Sequence, residues 1–129
     1  MDVWKTHGAF SWCELMTTDA EAAKRFYSKL FGWGTKQFDM PDGPYTTLQV
    51  GEDSVGGIMK IPADAPAMPP HWGCYVTVDR VEDTVAAAQS LGGKLLVPVM
   101  DVPGVGRMAV LQDPQGAVLS VITYATPSG

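Results

Sequence analysis

Apolar and polar residues alternate with period two from Phe10 to Thr17, the pattern of a half-buried strand. Cys13, Leu15 and Thr17 share one face, and Trp12, Glu14 and Met16 share the other. The period then changes. From Thr18 to Phe31, the residues Ala23, Phe26, Tyr27 and Leu30 recur at helical spacing, with Lys24, Arg25, Ser28 and Lys29 filling the outer side. Thr18 with Glu21 three residues on predicts a capping box. Gly32 predicts the helix stop, because glycine tolerates the left-handed conformation. Three shorter strands follow, at Thr35 to Asp39, Tyr45 to Val50 and Gly57 to Ile61. Their turns fall at Pro41-Asp42-Gly43-Pro44 and Gly51-Glu52-Asp53.

The same order returns about 60 residues later. Trp12 falls on Trp72, Thr17 on Thr77, Asp19 on Asp79, Gly32 on Gly92 and Gly56 on Gly116. The second half opens with a strand at Gly73 to Val78, in which Cys74, Val76 and Val78 face away from Gly73, Tyr75 and Thr77. A helix at Asp79 to Leu91 turns Val81, Val85, Ala88 and Leu91 inward. Asp79 and Glu82 repeat the capping arrangement and Gly92 repeats the stop. Strands at Lys94 to Val97, Gly106 to Gln112 and Ala117 to Tyr124 complete it, the last two joined by the turn Asp113-Pro114-Gln115-Gly116. Between the halves, Pro62 to Pro70 carries four prolines and reads as a stiff linker. The pattern predicts an α+β fold of tandem βαβββ modules, about 7–61 and 71–124, within one domain over 1–129. Neither half can bury both its helix and its sheet face alone, so the halves are expected to share one sheet or pack together.

Composition narrows the function classes. The chain has 129 residues, 46% of them hydrophobic and 18% charged, an ordinary globular balance. The net charge of −5 and nine scattered Lys and Arg residues argue against a nucleic-acid partner. No apolar run approaches the ~20 residues that span a bilayer, and Met1 to His7 does not read as a signal peptide, so no membrane partner is expected. The two cysteines, Cys13 and Cys74, sit in apolar runs and read as buried, reduced thiols in the cytoplasm.

Several landmarks are shared with a known group. They are Asp19 through Phe26-Tyr27 to Leu30-Phe31-Gly32-Trp33, then Val78-Asp79, Leu91-Gly92-Gly93 and Asp113-Pro114-Gln115-Gly116. In this order, from about His7 to Tyr124, the chain resembles the vicinal oxygen chelate superfamily. That group holds glyoxalase I, extradiol dioxygenases and bleomycin-resistance proteins. The resemblance implies half-cups of curved mixed sheet with two helices outside, and a concave site. In bleomycin-resistance-type members the cups pair across a homodimer. The faces of Leu15 and Val76 then go under the helices, while those of Trp12, Glu14 and Tyr75 line the cup. Metal-using members bind one divalent ion with His, Gln or Glu from the first and last strands of each module. Those positions carry over to Trp12, Lys60, Gly73 and Ser120, or to Cys13 and Trp72 if the register of the first strands slips by one. Trp, Lys, Gly and Ser do not make such a site, so the expectation is a member without the family metal and with no cofactor.

The candidate residues each admit two readings. Glu14, between Trp12 and Met16, would carry a desolvation cost on the cup face and could serve as a general base. Alternatively it stands in water, or pairs with Arg107 or Lys60. Arg107 could hold an anionic group or be a surface arginine. Trp12, Tyr45, Trp72 and Tyr75 suit a flat or apolar ligand, or they simply pack. His71, at the linker's end, is solvated or contacts a ligand; His7 has no motif around it. Ser120 stands at a family ligand position. Met59, Met68, Met100 and Met108 could add soft, adaptable surface. Neither a Gly-rich phosphate loop nor a Ser–His–Asp set can be assembled. The function expected is binding of a small aromatic or apolar molecule without a metal, by a cytoplasmic homodimer. The alternative is a metal-independent lyase, isomerase or epimerase with Glu14 as base.

Overall fold

The computed structural model describes residues 1–40, 43–63 and 68–125. Ten elements run along the chain. They are β1 (Phe10–Thr17), α1 (Ala20–Phe31), β2 (Gly34–Met40), β3 (Gly43–Val50), β4 (Asp53–Lys60), β5 (His71–Thr77), α2 (Val81–Ser90), β6 (Lys94–Val102), β7 (Gly106–Gln112) and β8 (Val118–Tyr124). Strand–helix–three-strand order therefore occurs twice, as the tandem βαβββ pattern requires. Pro41 and Asp42 of the first predicted turn, and residues 64–67 of the proline-rich linker, lie outside the described residues. Contacts group the chain into two compact units, Trp12–Gly73 and Met1–Ser11 with the residues from Cys74 onward.

In the unit Trp12–Gly73 the strand order is β2-β3-β4-β1. The β2–β3 and β3–β4 pairs are antiparallel, and β1–β4 is parallel. A parallel pair needs a crossover, and α1 is part of it. The core is Leu15, Leu48 and Ile58, with Ala20, Ala23, Tyr27 and Trp33 packed on it. Phe26 and Leu30, expected inward, are 59% and 57% exposed. The core-facing stripe of α1, half-buried, runs through Ala20, Ala23 and Tyr27, which leaves Phe26 and Leu30 on its flank. Cys13, expected to be buried, is exposed. Its register partner on β4 is Gly56, which has no side chain to cover it.

In the other unit the order is β5-β8-β7-β6, again with a parallel first pair. Val78, Val81, Val85, Ala109, Leu111 and Val121 form the core. Leu91, expected inward, is 79% exposed because α2 ends at Ser90. The strand β6 runs to Val102, five residues beyond its predicted end, with irregularities between Leu95 and Met100. The Asp113 turn is built as predicted: its Oδ1 accepts from the N–H groups of Gln115 and Ala117, each at 2.9 Å.

The helix caps correct two expectations. Asp19, not Thr18, caps α1, accepting from the Ala22 N–H at 3.0 Å. Glu21 instead pairs with Lys24. Arg80 occupies the cap position of α2 and makes no side-chain cap bond, so the Asp79–Glu82 box does not form. Gly92, at φ +93°, ends α2 as expected: the N–H groups of Gly92 and Gly93 close back on the carbonyls of Gln89 and Ala88, the Schellman arrangement.

The N-terminal arm belongs with β5 and α2. Gly8 N–H donates to the Thr77 carbonyl, and Thr77 N–H donates to the Ala9 carbonyl, both at 2.8 Å. Thr77 Oγ1 donates to the Val3 carbonyl. Trp4 packs edge-on against Tyr124, ring centroids 4.7 Å apart.

Candidate functional site

Alternation along β1 sets the site. Leu15 and Thr17 are buried on the face under α1, so Trp12, Glu14 and Met16 stand on the opposite face. The register then extends that face across two more strands. Glu14 opposes Gly57, Met16 opposes Met59, and Thr47 on β3 opposes Gly57. Tyr45, two residues from Thr47, therefore projects from the same side.

Three of the predicted residues meet there. Trp12 Nε1–H donates to the Tyr45 hydroxyl at 2.9 Å. The Tyr45 O–H donates in turn to Glu14 Oε2 at 2.7 Å. Tyr45 lies over Gly57: a β-carbon built on Gly57 would overlap the Tyr45 hydroxyl and come within 2.7 Å of its Cε1. Trp12, Glu14 and Tyr45 are all half-buried. The group combines an aromatic surface, a carboxylate and a phenol, with the thioethers of Met16 and Met59 along the same rows. A carboxylate held in this way can accept a hydrogen bond or a proton from a molecule laid on the face.

The other candidates go elsewhere. Trp72 lies on the α1 side, where its Nε1–H reaches the Tyr27 hydroxyl at 3.3 Å and its ring meets Tyr27 edge-on at 5.3 Å. With Phe31, Trp33, Leu48 and Cys13 it lines an apolar cleft of about 460 Å³. Alternation could have shown this, since Trp72 has the parity of Cys74 and Val76 and not of Tyr75. His71 is exposed, and its Nδ1 bonds the Pro69 carbonyl at 2.9 Å.

In the other unit, Tyr75 is buried with its hydroxyl 3.9 Å from Met108 Sδ. Ser120 opposes Tyr75 on β8 and is half-buried. Arg107 does not stand ready for an anion. It bridges Glu82 of α2 and Asp101 of β6. Its parity with buried Ala109 and Leu111 turns it toward α2. The Glu82 carboxyl is held below its usual range by a hydrogen bond from its own backbone N–H, against some desolvation, and then by Arg107. Burial pushes the Tyr124 phenol up, opposed by its hydrogen bond with Ser11.

One residue of the site and one contact away from it escaped sequence reading. Gly57 carried no signal beyond being a strand glycine, although such a glycine often marks close backbone approach. His7 turned out to have a partner far along the chain: its Nδ1 accepts the Asp79 N–H at 2.9 Å.

The fold and this strand-face arrangement define a vicinal oxygen chelate-type domain. The profile of the Glyoxalase/Bleomycin resistance protein/Dioxygenase superfamily matches residues 9–121, and the chain belongs to that family. It is 38% identical over 117 residues to the Mycobacterium tuberculosis protein named "Putative glyoxylase CFP32", covering 88% of this chain and 45% of that protein. It is 33% identical over 127 residues to "Anthracycline biosynthesis protein DnrV" of Streptomyces peucetius, covering 88% and 46%. The chain thus spans about half the length of these relatives. Among solved structures, methylmalonyl-CoA epimerase from Mycobacterium tuberculosis superposes with a TM-score of 0.69 at 13% identity, covering 92% of this chain and 89% of that one. An extradiol ring-cleaving dioxygenase from B. fuscum gives 0.64 at 19%, covering 91% and 32%.

The family's metal positions, carried over from the resemblance, fall on Trp12, Lys60, Gly73 and Ser120, or on Cys13 and Trp72 with the first strands slipped by one. Among the described residues, no three His, Cys, Asp or Glu side chains converge. An indole, an ammonium, a glycine and a hydroxyl do not fit the His and carboxylate donors that such an ion takes.

Proposed function

We propose that this protein binds a small aromatic or apolar molecule on the strand face of Trp12, Glu14 and Tyr45, without a family-type metal. The observation that carries this reading is the hydrogen-bonded run from Trp12 through Tyr45 to Glu14. It places a flat apolar surface beside a fixed polar group, the usual combination in small-ligand sites. The test is a thermal-shift screen of aromatic metabolites and antibiotics, with Trp12→Ala as control. Ligands should raise the melting temperature of the wild type, by an amount that grows with concentration, and the effect should vanish in the variant. A screen without any stabilising compound would count against the reading.

A second reading rests on Glu14 itself. A carboxylate fixed by a phenol beside a bound molecule could take a proton from it, as in a metal-independent lyase, isomerase or epimerase. Glu14→Gln should then abolish turnover of an identified substrate while ligand-induced stabilisation persists. Full activity in that variant would eliminate Glu14 as base. The family resemblance supports a homodimer and a small-molecule ligand, the two cysteines support a reducing, cytoplasmic setting, and the net charge of −5 speaks against a nucleic-acid partner. Among the described residues no helix is long and apolar enough to cross a membrane. Sedimentation equilibrium giving the mass of a single chain would remove the dimer.

A further inference from the structure

The apolar cleft on the α1 side takes no part in the strand face, and its floor is a place where the two halves of the chain differ. Ile58 and Val121 hold equivalent core places, each paired with the first strand of its module at Leu15 or Val76. Two residues earlier on the same helix-side face stand Gly56 and Leu119. Gly56 lies between Leu48 and Cys13, whereas Leu119 pairs with Leu111. A leucine thus fills this row in one half, and a glycine leaves it open in the other. A β-carbon at Gly56 would come to 2.7 Å from the Cys13 carbonyl oxygen, which is backbone and cannot swing aside.

The walls differ in the opposite sense. The last helix residue packed on the core is Ala88 in α2 and Tyr27 in α1. Tyr27 stacks with Phe31 and Trp33, at ring centroids 6.3 and 6.1 Å, and Trp72 meets Tyr27 and Trp33 edge-on at 5.3 and 6.3 Å. These rings do not close over the glycine floor. A cleft of about 460 Å³ remains, the size of a small-ligand site, with Phe31 58% and Trp72 40% exposed along it. Covering such rings is favourable for any flat apolar occupant. One polar bond stands in the wall, and it has a direction. An indole N–H only donates, so the Tyr27 oxygen accepts from Trp72 Nε1 at 3.3 Å. Among the described residues no group accepts the Tyr27 proton in turn. It is the donor this cleft holds out to an occupant.

We propose that this cleft is a second binding site, for a flat fused-ring molecule that carries a carbonyl oxygen, with the Tyr27 hydroxyl as its donor. The occupant's chemistry follows from complementarity with the cleft: aromatic walls for the rings, and one phenol proton for one acceptor. The site is separate from the strand face, because Cys13 and Leu48 turn toward α1 while Trp12 and Glu14 turn away from it. It does not rest on the binding reading above and stands if that reading falls. A hydrocarbon of the same shape would fill the cleft but leave the phenol proton without an acceptor, which should weaken binding by about fivefold.

The experiment uses the full chain and two probes of one shape, 2-acetylnaphthalene and 2-isopropylnaphthalene. Calorimetry gives the affinities, and the indole N–H resonances of Trp12, Trp33 and Trp72 give the place. The ketone is expected to bind about fivefold tighter than the hydrocarbon and to move the Trp33 and Trp72 resonances. The Trp72 shift should be the larger with the ketone, because a phenol that donates also accepts more strongly. In Tyr27→Phe the two affinities should come within about twofold of each other. Val55→Asp, which sets a charge on the exposed rim of the cleft, should abolish the Trp33 and Trp72 shifts. If neither probe binds, or if only the Trp12 resonance moves, the cleft is not a site and the proposal falls. Equal affinities in the wild type, or an unchanged ratio in Tyr27→Phe, overturn the role of Tyr27 as donor. A Trp72 resonance that moves on dilution of the protein and not on addition of probe means that a second copy fills the cleft, which also overturns the proposal.

Discussion

Glu14 and Arg107 show how far a single residue can be read. Period-two alternation placed Glu14 beside Trp12 on the face away from α1, and the structure agrees. The same rule applied to β7 would have put Arg107 with Ala109 and Leu111, under α2. There it meets Glu82 and Asp101, and an anion would have to compete with both carboxylates. The Glu82 interaction has a pH signature. Its carboxyl titrates below the ordinary 4.5, chiefly through its own backbone N–H and then through Arg107. A depressed folded value means that the unfolded chain binds the proton first as pH falls. The stabilisation is thus complete above the ordinary value and disappears as pH drops through the folded one. Melting temperatures of the wild type and Glu82→Gln should differ at pH 7, with the wild type higher by no more than a few degrees, and the gap should narrow as pH falls through the folded value. A gap that does not narrow at all over an acid titration would mean that the carboxylate is not its source.

Most element ends were legible to within two residues, although β4 begins four residues ahead of its predicted start and β6 runs five beyond its predicted end; the chemistry of the caps shows one reason. Thr18 and Asp19 are both good N-cap residues, and the sequence has Glu21 at the spacing of a capping box from Thr18. The backbone chose Asp19, whose φ and ψ are extended while Ala20 is already helical. Asp19→Ala should cost about 1 kcal/mol, or about 4 °C in melting temperature. Thr18→Ala should cost less than about 0.5 kcal/mol. Chemical denaturation of the two variants decides between the caps, and a larger loss in Thr18→Ala would restore the capping box. The side chains of α1 add a second lesson. Helical spacing identified an apolar stripe, but burial depends on which of its residues meet the strands beneath. Only Ala20, Ala23 and Tyr27 reach the core, and α1 contains no buried residue at all.

At the scale of the whole molecule, the N-terminal arm is fastened to residues some seventy positions away. His7 Nδ1 accepts the Asp79 N–H just ahead of α2, a place where Arg80 supplies no side-chain cap. The ring must therefore carry its proton on Nε2. His7→Ala should destabilise the chain by about 1 kcal/mol and speed hydrogen exchange at the Asp79 and Thr77 amides. His7→Asn, whose side-chain oxygen can also accept, should recover part of the loss. Exchange rates unchanged in His7→Ala would show that the contact does not hold the arm.

The sequence by itself determined the duplicated βαβββ order, the strand faces and the positions where helices stop. These follow from local periods of two and 3.6 residues and from glycine's access to left-handed backbone. Only the tertiary structure decided which side chains meet. Tyr45 reaches Glu14 because β3, β4 and β1 pair in one register, and because Gly57 leaves the space between them empty. His7 finds Asp79, and Arg107, which its parity already turns toward α2, is taken there by two carboxylates. Each of these depends on long-range pairing and on the volume of a neighbour, quantities that no local pattern encodes.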